Sequence, residues 1–218
     1  MRSFLSLGLL WIAGLLPAEG VAPVAEFPFQ FREGLIWISV TVPQSPEPLN
    51  FLVDTGAGVS TLSLQTAKRL GLKLGDRVRV RGVEASATGY WPQRISAKAG
   101  AVSLPEEYLA VDLCALSKAC NCEVDGLLGA DFFADRVVEI DFDARKVRVL
   151  KERADAVAGQ VQLPLKVSRR ALQVPVGING EKPVWVRLDT GCASALHWVA
   201  KAAPTTEMLP RVSIPFSN

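Results

Sequence analysis

The chain has 218 residues, 49% of them hydrophobic and 21% charged, enough apolar material for one good core and part of another. Its 24 basic and 22 acidic side chains are interspersed and leave a formal net charge of +2. That balance provides no long basic stripe for nucleic acid and no acidic tail.

Arg2, the apolar run Phe4 to Leu16, Pro17 and the small-polar-small triplet Ala18-Glu19-Gly20 read as a secretory signal peptide over residues 1–20. The run falls short of the roughly 20 residues that span a bilayer, and no other segment is long and apolar enough. The expected protein is therefore exported, periplasmic or secreted, with no stable membrane span after cleavage. A leader rich in Pro and Phe follows from Val21 to Arg32.

Ile36, Ile38, Val40 and Val42 alternate with other residues as in a half-buried strand. After the turn formers Pro43, Ser45, Pro46 and Pro48, a second strand, Phe51 to Val53, runs into Asp54-Thr55-Gly56. Ser60 or Ser63 can cap a short helix that ends at Leu70 before Gly71. Val78 to Val83 and Ile95 to Val102 read as strands, with Ser86, Ala87, Thr88 and Gly89 as a mobile hairpin tip between them.

Tyr108 to Leu113 leads to a cluster of Cys114, Cys120 and Cys122. Export permits disulfides, and a bridge from Cys114 to Cys120 or Cys122 is the expectation. Zinc is the less favoured reading, because His197 is the sole histidine and the spacing fits no finger or ribbon. Val124 to Phe133 contains Leu127-Leu128-Gly129, a buried strand whose backbone must pass close to another segment before a helical turn. Val137 to Phe142 and Lys146 to Leu150 form a hairpin around Asp143-Ala144. Short strands with two short helices indicate a mainly β domain of barrel type.

The first motif then returns. Leu172, Val174, Val176 and Ile178 alternate as the earlier strand does, Asn179-Gly180 supplies a turn, and Val184 to Leu188 runs into Asp189-Thr190-Gly191. From the last alternating residue to the aspartate the gap is twelve residues in the first copy and eleven in the second. The two aspartates lie 135 positions apart, so a full second copy would extend beyond Asn218. Ala202 to Asn218, with Pro204, Pro210 and Pro215, reads as irregular.

Phe51 to Gly56, the hairpin near Gly89 and Asp125 to Phe133 resemble the aspartate loop, flap and Leu-Leu-Gly strand of the retropepsin-like aspartyl proteases, relatives of retroviral protease and pepsin. The resemblance covers residues 29–150 as one complete closed β-barrel domain. It covers the start of residues 160–218, from Gln162 to about Trp198, as a partial second lobe. It implies that Asp54 and Asp189 are catalytic and that peptide or protein is the substrate, with no cofactor and no metal. Thr55, Thr190, Gly56 and Gly191 would then lock the two loops and let backbone amides reach the carboxylates. Leu127, Leu128 and Gly129 would pack behind them.

Two carboxylates at hydrogen-bond distance share a proton, so one serves as base toward water and the other as acid toward the carbonyl. Where pepsin-like relatives carry Ser or Thr after the tripeptide, this chain has Ala57 and Cys192. Loss of a hydroxyl bond should leave the pair's pKa values higher and place activity at mildly acid pH.

Other readings of the same residues are weaker. Gly56-Ala57-Gly58 looks like half a dinucleotide-binding turn, but Thr61 stands where the third glycine belongs. Ser60, Ser194 and His197 lack a Gly-x-Ser-x-Gly elbow. Trp37, Trp91 and Phe51 suit core packing better than a groove lining. A single Asp54 would read as a turn residue; the repeated tripeptide reverses that. Asp54 then pairs with Asp189, or with its own copy in a homodimer, or the chain is a truncated or inactive module that binds peptide or dimerises without cutting.

Overall fold

The computed structural model describes residues 23–81, 86–151, 161–168, 170–177 and 180–194; the signal-peptide reading, His197 and the irregular tail lie outside them. In chain order the first strands are β1 (Pro23–Pro28), β2 (Gln30–Arg32), β3 (Leu35–Val40), β4 (Leu49–Val53) and β5 (Thr61–Ser63). Helix α1 (Leu64–Arg69) precedes β6 (Leu74–Arg81), β7 (Ser86–Pro92), β8 (Lys98–Ala99), β9 (Val102–Ser103) and β10 (Leu109–Val111). Helix α2 (Cys114–Ala119), β11 (Gly126–Leu128), α3 (Ala130–Phe133), β12 (Val137–Asp141) and β13 (Lys146–Leu150) follow. The last strands are β14 (Lys166–Ser168), β15 (Ala171–Val176) and β16 (Val184–Arg187), which form a separate three-stranded sheet.

The fold is mainly β, as expected. One eight-stranded sheet runs in the order β2-β3-β4-β11-β5-β10-β7-β6, mixed because β11 is parallel to β4 and β10 is parallel to β5. A parallel neighbour inserted between β4 and β5 draws chain from far downstream into the centre of the sheet. Period two in β3 therefore separates two cores rather than core from water. Ile36, Ile38 and Val40 join Phe51, Val53, Leu62 and Leu128 on one side, while Leu35 and Trp37 join Leu52, Val124 and Leu127 on the other. Phe51 and Trp37 are thus core residues.

The leader folds as well. β1 pairs antiparallel with β13, which pairs in turn with β12, and Phe27 and Phe29 are buried. Phe27 and Phe29 join the core that holds Phe51 and Val53, a gain of roughly 2–3 kcal/mol per ring relative to exposure.

Three expectations are corrected. Ser86 to Gly89 are not a hairpin tip: they lie in β7, opposite Arg81 to Val78. Gly89 serves close packing instead of a turn, since a Cβ there would stand 2.7 Å from a Val80 methyl and 3.1 Å from Val111. The segment Ile95 to Val102 does not pair with β6; it holds β8 and the first residue of β9, which pair with each other across a short turn. All four cysteines are free, and α2 fills the stretch between Cys114 and Cys120. Six residues along a helix turn a side chain through about 240°, which faces Cys114 away from Cys120. Cys114 Sγ instead accepts a 2.8 Å hydrogen bond from Gln65 Nε2.

Ser63 does precede α1, but its hydroxyl bonds Gln65 Oε1 and not a helix amide. What anchors α1 is Asp125, a buried carboxylate that accepts from Asn50 N at 2.8 Å and Thr66 Oγ1 at 2.7 Å and pairs with Arg69. That triad ties helix, β4 and the start of β11 together. No helix among the described residues is long and apolar enough to cross a membrane.

Asp125→Ala leaves a buried amide and hydroxyl without their acceptor. It should lower unfolding free energy by about 2–4 kcal/mol, read as a reduced urea midpoint with unchanged slope.

Candidate active site

β4 and β16 each deliver an aspartate at the end of an apolar strand, and the loops that follow meet. Thr55 N donates to Thr190 Oγ1 and Thr190 N donates to Thr55 Oγ1, both at 3.1 Å. Each hydroxyl then passes its proton across to the opposite strand end: Thr55 Oγ1 to Leu188 O and Thr190 Oγ1 to Val53 O, both at 2.7 Å. Four reciprocal bonds in a partly buried spot fix the two loops in register. Thr55 is only 3% exposed, so none of its bonds is readily exchanged for water.

The carboxylates are held from beneath. Asp54 Oδ1 accepts from Gly56 N at 2.9 Å and Ala57 N at 3.1 Å, and Asp189 Oδ1 accepts from Gly191 N at 3.0 Å. Both glycines are needed for space: a Cβ on Gly56 would lie 2.4 Å from Asp189 Cγ, and one on Gly191 would lie 2.5 Å from Asp54 Cγ. Each glycine thus sits directly against the opposite acid. Within the chain Asp54 and Asp189 therefore stand next to each other.

Burial first, and then the nearby charge of Asp189, push the Asp54 pKa up from 3.8 to about 6, against the opposing pull of the Ala57 and Gly56 amides. The direction matches the expectation from the missing hydroxyl after the tripeptide, but its leading cause is desolvation.

Leu127 and Leu128 pair with Leu52 and Val53, and Asp54 N donates to Leu128 O at 2.9 Å. Gly129 packs against Val59 and Ser60 so closely that a Cβ would fall 2.6 Å from the Val59 carbonyl carbon. The expected backing of the aspartate loop is therefore in place.

Several contributors escaped sequence reasoning. Asp131 accepts from Ser60 N at 2.9 Å and Ser60 Oγ at 2.7 Å, and that hydroxyl accepts from Gly129 N at 3.0 Å. Ala130 N closes the same loop onto Ala57 O at 2.7 Å. Arg187 Nη1 reaches Gly56 O at 2.8 Å from the end of β16. No local pattern links Ser60 to Asp131, 71 positions away, so only the fold reveals the pair.

Ser60 is thus a buried brace and no nucleophile. The turn Gly56-Ala57-Gly58 leads into strand β5 and not into a helix, which removes the dinucleotide reading. Trp91 lines a cavity of about 810 Å³ with Arg94, Glu106, Asp135, Val167 and Arg170. Neither aspartate lines that cavity, so the paired carboxylates and not the cavity define the candidate site.

Residues 38–132 match the family model described as aspartyl protease. Among curated proteins none matches the chain. Similar solved structures include the retroviral protease-like domain of Ddi1 from Leishmania major, at 16% identity and TM-score 0.39, over 55% of this chain and 91% of that one. They also include a retropepsin-like aspartic protease from Rickettsia conorii, at 19% identity and TM-score 0.39, over 57% and 90%.

An Asp54 pKa raised in the folded state means that folding binds protons between about pH 4 and pH 6 and is penalised above that window. Asp54→Asn removes the penalty while keeping an acceptor for the Gly56 amide. It should stabilise the protein by roughly 1–3 kcal/mol near pH 7.5 and lose that advantage near pH 4, read from urea midpoints at both. Thr55→Val should have the opposite effect, costing about 2 kcal/mol and raising amide exchange in β16.

Proposed function

On the match of residues 38–132 to the aspartyl protease family model, we propose that the chain is an aspartic-type endopeptidase using Asp54 and Asp189 on a bound water. One observation carries the reading. The reciprocal threonine bonds hold the two carboxylates so close that each opposing glycine has no room for a methyl group.

The chemistry follows from one shared proton. Burial and the neighbouring carboxylate raise the Asp54 pKa to about 6, so at mildly acid pH the pair holds one proton and offers one acid and one base. Water between them gives a proton to the base as its oxygen attacks the peptide carbonyl carbon. The acid passes its own proton to the carbonyl oxygen, forming a neutral gem-diol. Collapse of the diol breaks the C–N bond as the leaving nitrogen takes up a proton, and the pair returns to its starting state. The amides of Gly56, Ala57 and Gly191 keep the acids oriented throughout, with no reorganisation during reaction.

The apolar run Phe4 to Leu16 after Arg2 supports action outside the cytoplasm. N-terminal sequencing of the protein recovered from a periplasmic or culture fraction should begin at Val21.

The decisive assay measures cleavage of an unfolded protein such as casein by wild type, Asp54→Asn and Asp189→Asn. Both variants should lose at least about 10³-fold in kcat with folding intact. Loss in Asp54→Asn alone would instead indicate a dyad made between two copies. Absence of cleavage by the wild type would leave a peptide-binding module.

The rate should fall as pH rises above about 6, because ionisation of Asp54 removes the acid. An optimum near pH 2–3 would contradict the mechanism.

A further inference from the structure

Strand β6 forms one edge of the eight-stranded sheet, and among the described residues nothing pairs with its outer side. An exposed edge is a row of unmet N–H and C=O groups, ready to accept another strand. Its pairing with β7 is irregular between Leu74 and Arg77 and regular from Arg77 to Arg81.

Over that regular stretch the charge pattern is uniform. Arg77 and Arg79 stand on one face, with Arg81 at the next same-face register position. Their partners across the ladder are neutral: Tyr90, Thr88 and Ser86. Arg77 and Arg79 are exposed, and among the described residues neither lies in an ion pair. Arg69, Arg94 and Arg148, by contrast, each hold carboxylates of this chain. Arg77 makes one 3.3 Å bond to Thr88 Oγ1, which orients it along the hairpin, and the face forms an open hollow of about 480 Å³.

The opposite face is fixed in place. Val78 and Val80 are half-buried, and the Val80 methyl fills the space that a side chain on Gly89 would need. The edge is therefore presented on a backbone already ordered, which reduces the entropy lost on docking.

We propose that the outer edge of β6 is a docking site for an extended acidic peptide segment, which adds as a further strand and sets carboxylates at alternate positions against the arginines. The spacing decides the class of partner. Alternate side chains of an extended chain stand roughly 6.8 Å apart on one face, the same repeat as the arginines. Backbone pairing supplies affinity without regard to sequence, and the guanidiniums select for acid at every second residue. Docking does not depend on hydrolysis, so a failed cleavage assay leaves it untouched.

The test uses the full chain, as wild type and as Asp54→Asn, with a fluorescent peptide of roughly a dozen residues alternating Glu and Thr. Anisotropy should show binding that weakens by about tenfold or more between 0.05 and 0.5 M NaCl, and by a similar factor in the Arg77→Gln/Arg79→Gln variant. Hydrogen exchange on the unmodified chain should slow in β6 when the peptide is present. Equal binding of a peptide with the same residues in separate Glu and Thr blocks, or of oligothymidylate, would overturn strand docking. So would an affinity unchanged in the double variant, or exchange slowed elsewhere but not in β6.

Discussion

The reciprocal bonds between Thr55 and Thr190 are the constraint on which the site depends. Two carboxylates placed close together repel when both are charged and lose hydration when buried, so the fold must hold them against a gradient. It does so with hydroxyls that each accept from one loop and donate to the far strand end. These are neutral hydrogen bonds, each worth about 1 kcal/mol net in isolation. Their value here is geometric, because they fix two separate strands at a common point. The apolar strands β4 and β16 carry the acids to that point, and the pair Leu128 O to Asp54 N transmits the rigidity of the central sheet to one of them.

Around that point, polar groups are braced and not merely buried. Asp125 and Asp131 each take several donors, and each sits beside the Gly-Leu-Leu-Gly segment, one before it and one after. The segment is therefore tied at both ends to the loops it supports. The bracing costs desolvation of two acids, compensated by complete hydrogen bonding and, for Asp125, by Arg69. By this arrangement a short strand of three residues, β11, controls the position of the aspartate loop.

How much of this was legible in the sequence follows from the range of each interaction. The paired tripeptides, the strand before each and the close approach at Gly129 are local patterns, and all reappear in the structure. Gly89 misled because glycine permits both turns and tight strand packing, and only the presence of Val80 and Val111 beside it decides between them. Helix α2 is hard to read because it is short and its N-cap position holds Leu113, with Asp112 one residue earlier taking the Cys114 amide. β1 reads as a leader in sequence because its partner, β13, lies some 120 residues away, and no local signal records so distant a pairing. The brace between Ser60 and Asp131 was hidden for the same reason.

The duplicated loops are alike in sequence and unequal in surroundings. The acid of the first loop receives two main-chain amides and that of the second receives one. In a symmetric pair the labile hydrogen would have no preferred home. Here the unequal number of main-chain donors breaks that symmetry, so the centre has a distinguishable left and right although the tripeptides that build it are the same.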